Sequence, residues 1–341
     1  MKYIIYPHNG SGDHGSEARL RSLLQLLAGT QLEVFSDAPQ EDLRYWPHPL
    51  FSLQRAPYQP YVIAQKNSVL LAFQGDHPLL FPRSVPHQIQ ILLGACVPEG
   101  LSLDDCTSLF ARYQMLIAYE HHSFHELSQI HPNVIYYPDP LFISASQSFL
   151  IPSLLANKEF LLLSIHPEHR LFDSSVHLIQ HILATTHWQV ALVPFLCQPE
   201  CSDQSLLLSL YQTFCHTGRV VMVRELSSKQ IHHLCSRARF VVTSHPSQAV
   251  LAYTSGTPTL LIHDSPRALH IAEDLFGPSH THVASPKSIT DSQGLIRDLH
   301  SLIADEHYLQ KKQGETVPIY QEQLTLLRQT LYRSDRNLAG L

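Results

Sequence analysis

TSHPSQAVLAYTSGTPTLLIHDSPRALHIAEDLFG, Thr243 to Gly277, is the stretch whose reading decides the fold of this 341-residue chain. Val241 and Val242 close an apolar run, and Ser244 to Ser247 break it with polar residues. Ala249 to Tyr253 resume at helical spacing until Gly256 and Pro258 stop the helix. Thr259 to Ile262 then read as a buried parallel strand, with a second loop beyond it. In an open parallel sheet, ligands bind outside the carboxyl ends of the strands, where helix N-termini turn unpaired N–H groups outward and attract anions. His245, Ser247 and Arg267 fall at two such strand ends, so function is expected there.

Outward from this stretch the same alternation continues. Strands are predicted at Phe160 to Ile165, Val190 to Val193 and Val220 to Val223, and helices at Val176 to Ala184, Ser205 to Cys215 and Lys229 to Ala238. In the first half, a strand at Tyr3 to Tyr6 runs into the glycine-rich turn HNGSGDHGSEA and a leucine-spaced helix, Ala18 to Leu27. Strands follow at Val69 to Phe73, Ile89 to Leu93, Met115 to Ala118 and Val134 to Tyr137, with helices at Asp104 to Tyr113 and Ser123 to Ile130. The strands are continuous apolar runs, the pattern of a sheet covered by helices on both faces. Proline and serine between Ser144 and Ser153 mark a linker. The expectation is an α/β chain of two doubly wound, Rossmann-like domains, residues 1–148 and 149–341, with a cleft between them and a helical tail from Gln293 to Arg336.

Composition narrows the function. Charged residues make up 15% and the net charge is -6, so no broad basic surface is present to neutralise a nucleic-acid backbone. No apolar run approaches the roughly 20 residues of a membrane span, and the N-terminus lacks a signal-peptide pattern, which points to a cytoplasmic protein without a transmembrane segment. The six cysteines are scattered and read as reduced small hydrophobes. Cys197 and Cys201 lie close together but lack the second pair of a metal site.

Several blocks, taken in order, resemble the polysaccharide pyruvyl transferase family: GSGDHGSEA near the start, FQGDH at Phe73, LLGACVPEG at Leu92, IAYEHHSFHEL at Ile117, YPDPLF at Tyr137, Ser202-Asp203 before a helix, and the Thr243 to Gly277 stretch itself. The resemblance covers most of the chain. It implies a glycosyltransferase-B-like fold with an acceptor side in the first domain and a donor side in the second. It also implies transfer of a pyruvyl group from phosphoenolpyruvate to saccharide hydroxyls in cell-surface polysaccharide biosynthesis, with no cofactor and no metal. Such chemistry needs a general acid to protonate the enol carbon and a cation to cradle carboxylate and phosphate. Under the resemblance His245 and Arg267 take those catalytic roles, while Asn9, Gly10, Gly12, Asp13, His14, Glu17, Asp76, Glu120, Asp139, Ser244 and Ser247 line the substrate site.

The chain departs from the family pattern at five polar places. His245 and Ser247 stand where arginine and histidine are expected, Arg267 where lysine is, Tyr119 where arginine is, and Phe195 where histidine is. Two alternatives therefore stand beside pyruvyl transfer: a nucleotide-sugar glycosyltransferase, which the same fold supports, and a catalytically silent homologue acting as a binding or scaffold protein.

The same residues also have purely structural readings. Gly10, Gly12 and Gly15 suit the positive-φ positions of a tight turn. Asp13 or Ser16 suits the N-cap of the first helix, with Glu17 a favourable charge in its first turn, and Ser247 suits the cap of the later helix. Asp139, between two prolines, reads as a turn residue near the cleft, and Arg267 as a surface partner of Asp264 or Glu273. His121 with His125, and His177 with His181, have the four-residue spacing of paired ligands but read as solvated surface in a chain with 24 histidines.

Overall fold

The computed structural model describes residues 2–8, 12–45, 51–55, 68–73, 88–98, 100–166, 171–198, 202–224, 226–262, 265–277, 282–284, 291 and 293–338. The chain divides into two compact units. The first comprises Met1–Ser11, Arg19–Ile143 and Ile319–Leu341, and the second Gly12–Ala18 and Ser144–Pro318. The break falls at the start of the serine- and proline-rich linker. The tail, expected to belong wholly to the second domain, divides instead: its last part, from Ile319, counts with the first unit.

The first unit holds a sheet of seven strands: β1 (Lys2–His8), β2 (Gln31–Ser36), β3 (Ser52–Arg55), β4 (Ser68–Phe73), β5 (Gln88–Leu93), β6 (Met115–Ala118) and β7 (Val134–Tyr136). All pair in parallel in the order β3-β2-β1-β4-β5-β6-β7. The helices are α1 (His14–Leu26), α2 (Pro39–Tyr45), α3 (Leu103–Phe110) and α4 (His121–Leu127). Apolar side chains of β4, β5 and β6 bury against Phe110 and Leu127, one from each of the last two helices. Ser102 starts α3 with a capping box, its hydroxyl accepting from Asp105 N–H.

The second unit repeats the plan with β8 (Phe160–Ser164), β9 (Gln189–Leu192), β10 (Val220–Met222), β11 (Phe240–Thr243), β12 (Thr259–Ile262) and β13 (Val283–Ala284), all parallel in the order β10-β9-β8-β11-β12-β13. Between them run α5 (Phe172–Thr185), α6 (Gln204–Phe214), α7 (Ser228–Arg237), α8 (Pro246–Thr254) and α9 (Pro266–Phe276), followed by α10 (Gly294–Ala304) and α11 (Glu306–Leu338). Every residue of β8, β9, β11 and β12 is buried, as a strand covered on both faces requires. The chain beyond β12, expected as a loop, forms α9: Ser265 caps it through Ala268 N–H, Pro266 opens it, and Ala268, Ala272, Leu275 and Phe276 bury one face. No described helix is long and apolar enough to cross a membrane.

Both sheets reverse their winding direction once, between β1 and β4 in the first and between β8 and β11 in the second. At such a point the loops after the two central strands diverge and leave a crevice beyond their carboxyl ends. The loop after β11 is the first half of the polar break, Ser244 and His245; Pro246 and Ser247 already belong to α8.

Candidate functional site

In the second unit the backbone at the β8/β11 reversal is tied across the two strand ends. Ser244 N–H donates to Ser164 O at 3.0 Å, and His166 N–H donates to the Ser244 hydroxyl at 2.7 Å. His245 then occupies the N-cap of α8, and Pro246 takes the first helical position, where its missing N–H costs nothing. Ser247, expected as the cap, is the second helical residue. The His245 side chain makes no capping bond; its backbone carbonyl accepts from Gln248 and Ala249 N–H at 3.0 and 3.1 Å, and with Pro246 lacking an N–H it is the Ser247 amide of the first turn that is left for another acceptor. Thr243 holds the turn from below, its hydroxyl accepting from His245 N–H at 3.0 Å and donating to Gln248 Oε1 at 2.7 Å.

The His245 ring is enclosed by aromatic and acidic groups. Phe195 lies 5.1 Å away and tilted by 35°, His166 lies 6.0 Å away edge-on, and Asp203 Oδ2 is 2.8 Å from Nε2. That last approach is a close contact rather than a hydrogen bond, because Nε2 has no aligned acceptor despite the distance. The Asp203 carboxylate is fully buried and accepts two backbone N–H groups, from Phe195 and Leu196, each at 2.9 Å. Its second oxygen, Oδ1, is buried without a partner.

The glycine-rich turn joins this site from within the same unit. Gly12 O accepts from Cys197 N–H at 2.7 Å, Phe195 O accepts from His14 N–H at 3.2 Å, and Asp13 bridges to Leu196. Asp13 caps α1, accepting from Gly15 and Ser16 N–H at 2.9 and 3.1 Å. Neither Gly12 nor Gly15 is among the positive-φ glycines, so the turn reading of these two is corrected. Gly15 is needed for space: a Cβ there would stand 2.7 Å from Ser247 Oγ and 2.8 Å from its Cβ. Gly15→Ala is accordingly expected to cost about 1 to 3 kcal/mol by overpacking, measured by denaturant unfolding; Gly12→Ala, whose nearest neighbour is the Gln198 side chain at 3.3 Å, should cost less.

Glu17 is more than a first-turn charge. It is fully buried, and its Oε2 accepts Ser228 N–H, at the amino end of α7, at 2.8 Å while lying 3.2 Å from His14 Nδ1. The partial positive charge of that helix end favours the carboxylate. His14 is 1% exposed. Burial by itself lowers its pKa, but the Cys197 sulfur and then the hydrogen bond and charge of Glu17 outweigh burial and raise it from 6.5 to about 9. The sulfur contact is long, 3.9 Å, and the Glu17 carboxylate is the closer partner at 3.2 Å. A raised folded-state pKa stabilises the fold fully below the unfolded value and loses that contribution as pH climbs through the folded one. Stability is therefore expected to fall by up to about 3 kcal/mol between pH 6.5 and 9. Denaturant melts at pH 6, 7.5 and 9 should show the decline in the native chain and not in His14→Phe.

The remaining sequence candidates are distributed elsewhere. Asn9, Gly10 and Asp76 lie outside the described residues. Arg267, half-buried, starts α9 beyond β12, the strand beside β11. In the first unit Glu120 is the buried N-cap residue of α4, where its carboxylate accepts the Ser123 hydroxyl at 2.8 Å. Asp139 takes a two-pronged ion pair from Arg19, at 3.0 and 2.7 Å to Oδ2, and caps the turn at Leu141 N–H; its carboxylate is occupied structurally. Of the histidine pairs, His121 stacks on Tyr136 at 3.9 Å and His181 faces His300 at 3.1 Å. Among the described residues no three metal-ligating side chains converge. Sequence reasoning missed His166 and Ser228 altogether and saw Asp203 only as part of a motif. The order of strands, which would have singled out the β8 loop, is not written in local pattern.

No protein-family model and no curated protein sequence matches the chain. Solved structures do. A putative UDP-N-acetylglucosamine 2-epimerase from Listeria monocytogenes aligns over 92% of this chain and 90% of its own, with TM-score 0.63 and 11% identity. HepE from Anabaena, solved with UDP and glucose, aligns over 100% of both chains with TM-score 0.60 and 13% identity. Sucrose-phosphate synthase from Thermosynechococcus elongatus aligns over 98% of both with TM-score 0.57 and 13% identity. At these identities the likeness establishes the fold, a glycosyltransferase-B arrangement of two parallel-sheet units with a helical tail.

Proposed function

We propose that the chain is a glycosyltransferase that takes its donor as a nucleoside-diphosphate sugar, with the second unit binding the diphosphate. The observation that carries the reading is the uncapped amino end of α8 at the β8/β11 reversal, the place where an open parallel sheet presents N–H groups to an anion. Full-length likeness to HepE, solved with UDP and glucose, supports the donor class. In the transfer, the bond from the sugar's anomeric carbon to the diphosphate oxygen breaks. A bond from that carbon to an acceptor hydroxyl oxygen forms as the hydroxyl loses its proton. Charge grows on the departing diphosphate. Fixed amide dipoles in the first turn of α8, the Ser247 hydroxyl and His245 meet that charge without having to reorganise.

A second reading, pyruvyl transfer from phosphoenolpyruvate, has one observation in its favour: three of the blocks that resemble that family, around His14, Asp203 and His245, gather in one place in the second unit. Phosphoenolpyruvate also carries the anionic groups that a helix amino end attracts. The two donors separate in one calorimetric series using UDP, GDP, ADP and dTDP against phosphoenolpyruvate. The glycosyltransferase reading expects at least one nucleotide to bind, and His245→Ala to weaken it tenfold or more. Binding of phosphoenolpyruvate with no nucleotide would transfer the assignment to the second reading, and silence with every ligand would remove both.

A further inference from the structure

Three side chains of the second unit stand in the order of a nucleophile, a base and an orienting acid. Cys197 Sγ lies 3.9 Å from His14 Nε2, and His14 Nδ1 lies 3.2 Å from Glu17 Oε2. Glu17 is itself anchored by Ser228 N–H at the start of α7. The imidazole thus has its two nitrogens assigned to different partners, as in cysteine–histidine–acid sites. Cys197 is partly exposed, whereas Cys96, Cys106 and Cys235 are buried. We propose that Cys197 is a nucleophilic thiol, activated by His14 and oriented through Glu17, that exchanges with small disulfides.

The balance of the step is simple. Under the proposal the thiol proton is held on His14 Nε2. The Cys197 sulfur attacks one sulfur of the disulfide, a new S–S bond forms as the old one breaks, and the second half leaves as a thiolate that takes up a proton. The disulfide is the oxidant, and Cys197 is oxidised to a mixed disulfide. The charge on His14 is sustained by Glu17, and its raised pKa agrees with an imidazolium beside the sulfur at neutral pH. Asp13 spends its carboxylate on the amides of Gly15 and Ser16, while Asp203 and His245 contact each other next to Phe195, whose ring stands 6.0 Å from His14. The inference does not depend on which donor the enzyme uses.

The test is site-resolved mass spectrometry of the intact, folded chain. Iodoacetamide and glutathione disulfide serve as probes, and Cys215, an exposed thiol outside any disulfide, is the internal reference. Cys197 is expected to react at least tenfold faster than Cys215 at pH 7, and His14→Gln and Glu17→Gln should bring it down to the reference rate. Since both replacements are buried, the native chain supplies an independent reading. Between pH 6 and 8 the Cys197 rate should change less than twofold while that of Cys215 climbs steeply. A Cys197 rate no greater than the reference, a parallel climb with pH, or a folded His14→Gln that keeps full reactivity would each overturn the proposal.

Discussion

Asp203→Ala is expected to destabilise the second unit by about 3 to 5 kcal/mol. The carboxylate holds Phe195 N–H and Leu196 N–H at 2.9 Å each, and Asp203 N–H closes the same loop onto Leu196 O at 2.9 Å. Removing it strands the buried Phe195 amide and the partly buried Leu196 amide and leaves His245 without its acidic neighbour. Asp203→Asn keeps one acceptor oxygen, so it should retain much of the loop's stability while removing the carboxylate charge beside His245. Urea unfolding of the two variants separates these contributions. Should both unfold with the native midpoint, the loop after β9 owes nothing to this carboxylate.

Glu17→Ala should cost a similar amount, about 3 to 5 kcal/mol, because it leaves both a buried imidazolium and the Ser228 amide without their acceptor. The consequence is pH-dependent. With the carboxylate gone, its hydrogen bond and charge no longer oppose burial at His14, so the variant loses most below pH 6.5, where the native pair contributes fully. The gap between native and variant should therefore narrow as pH rises through 9. A constant gap from pH 6 to pH 9 would mean that His14 and Glu17 are not electrostatically linked.

Much of the fold was legible in the chain because a strand covered on both faces must be apolar throughout. Met115–Ala118 and Thr259–Ile262 have the bounds expected of them, and most other expected strands and helices differ by a few residues at an end. β2 escaped because Glu33 interrupts QLEVFS; the structure buries that carboxylate and satisfies it with Lys2 at 2.6 Å and with Gln54 of β3. A partner supplied by a neighbouring strand leaves no mark on local periodicity. β3 escaped because an edge strand with exposed side chains needs no apolar run. α9 was taken for a loop because its opening Ser-Pro reads as a breaker as readily as a cap and first turn.

For the candidate site, the chain alone located His245, Ser247 and Arg267 past the ends of two strands, since a polar break after an apolar run marks where a strand stops. It also marked the glycine-rich turn, although for a reason that proved different: Gly15 is small to let Ser247 approach, not to reach a positive φ. Only the tertiary structure decided that β8 and β11 are neighbours, that Asp203 lies against His245, and that Glu17 caps α7 from 211 residues away while holding His14. Periodicity reports what one segment needs from its surroundings. Which distant group meets that need depends on how the sheet is wound, and winding is a property of the whole chain.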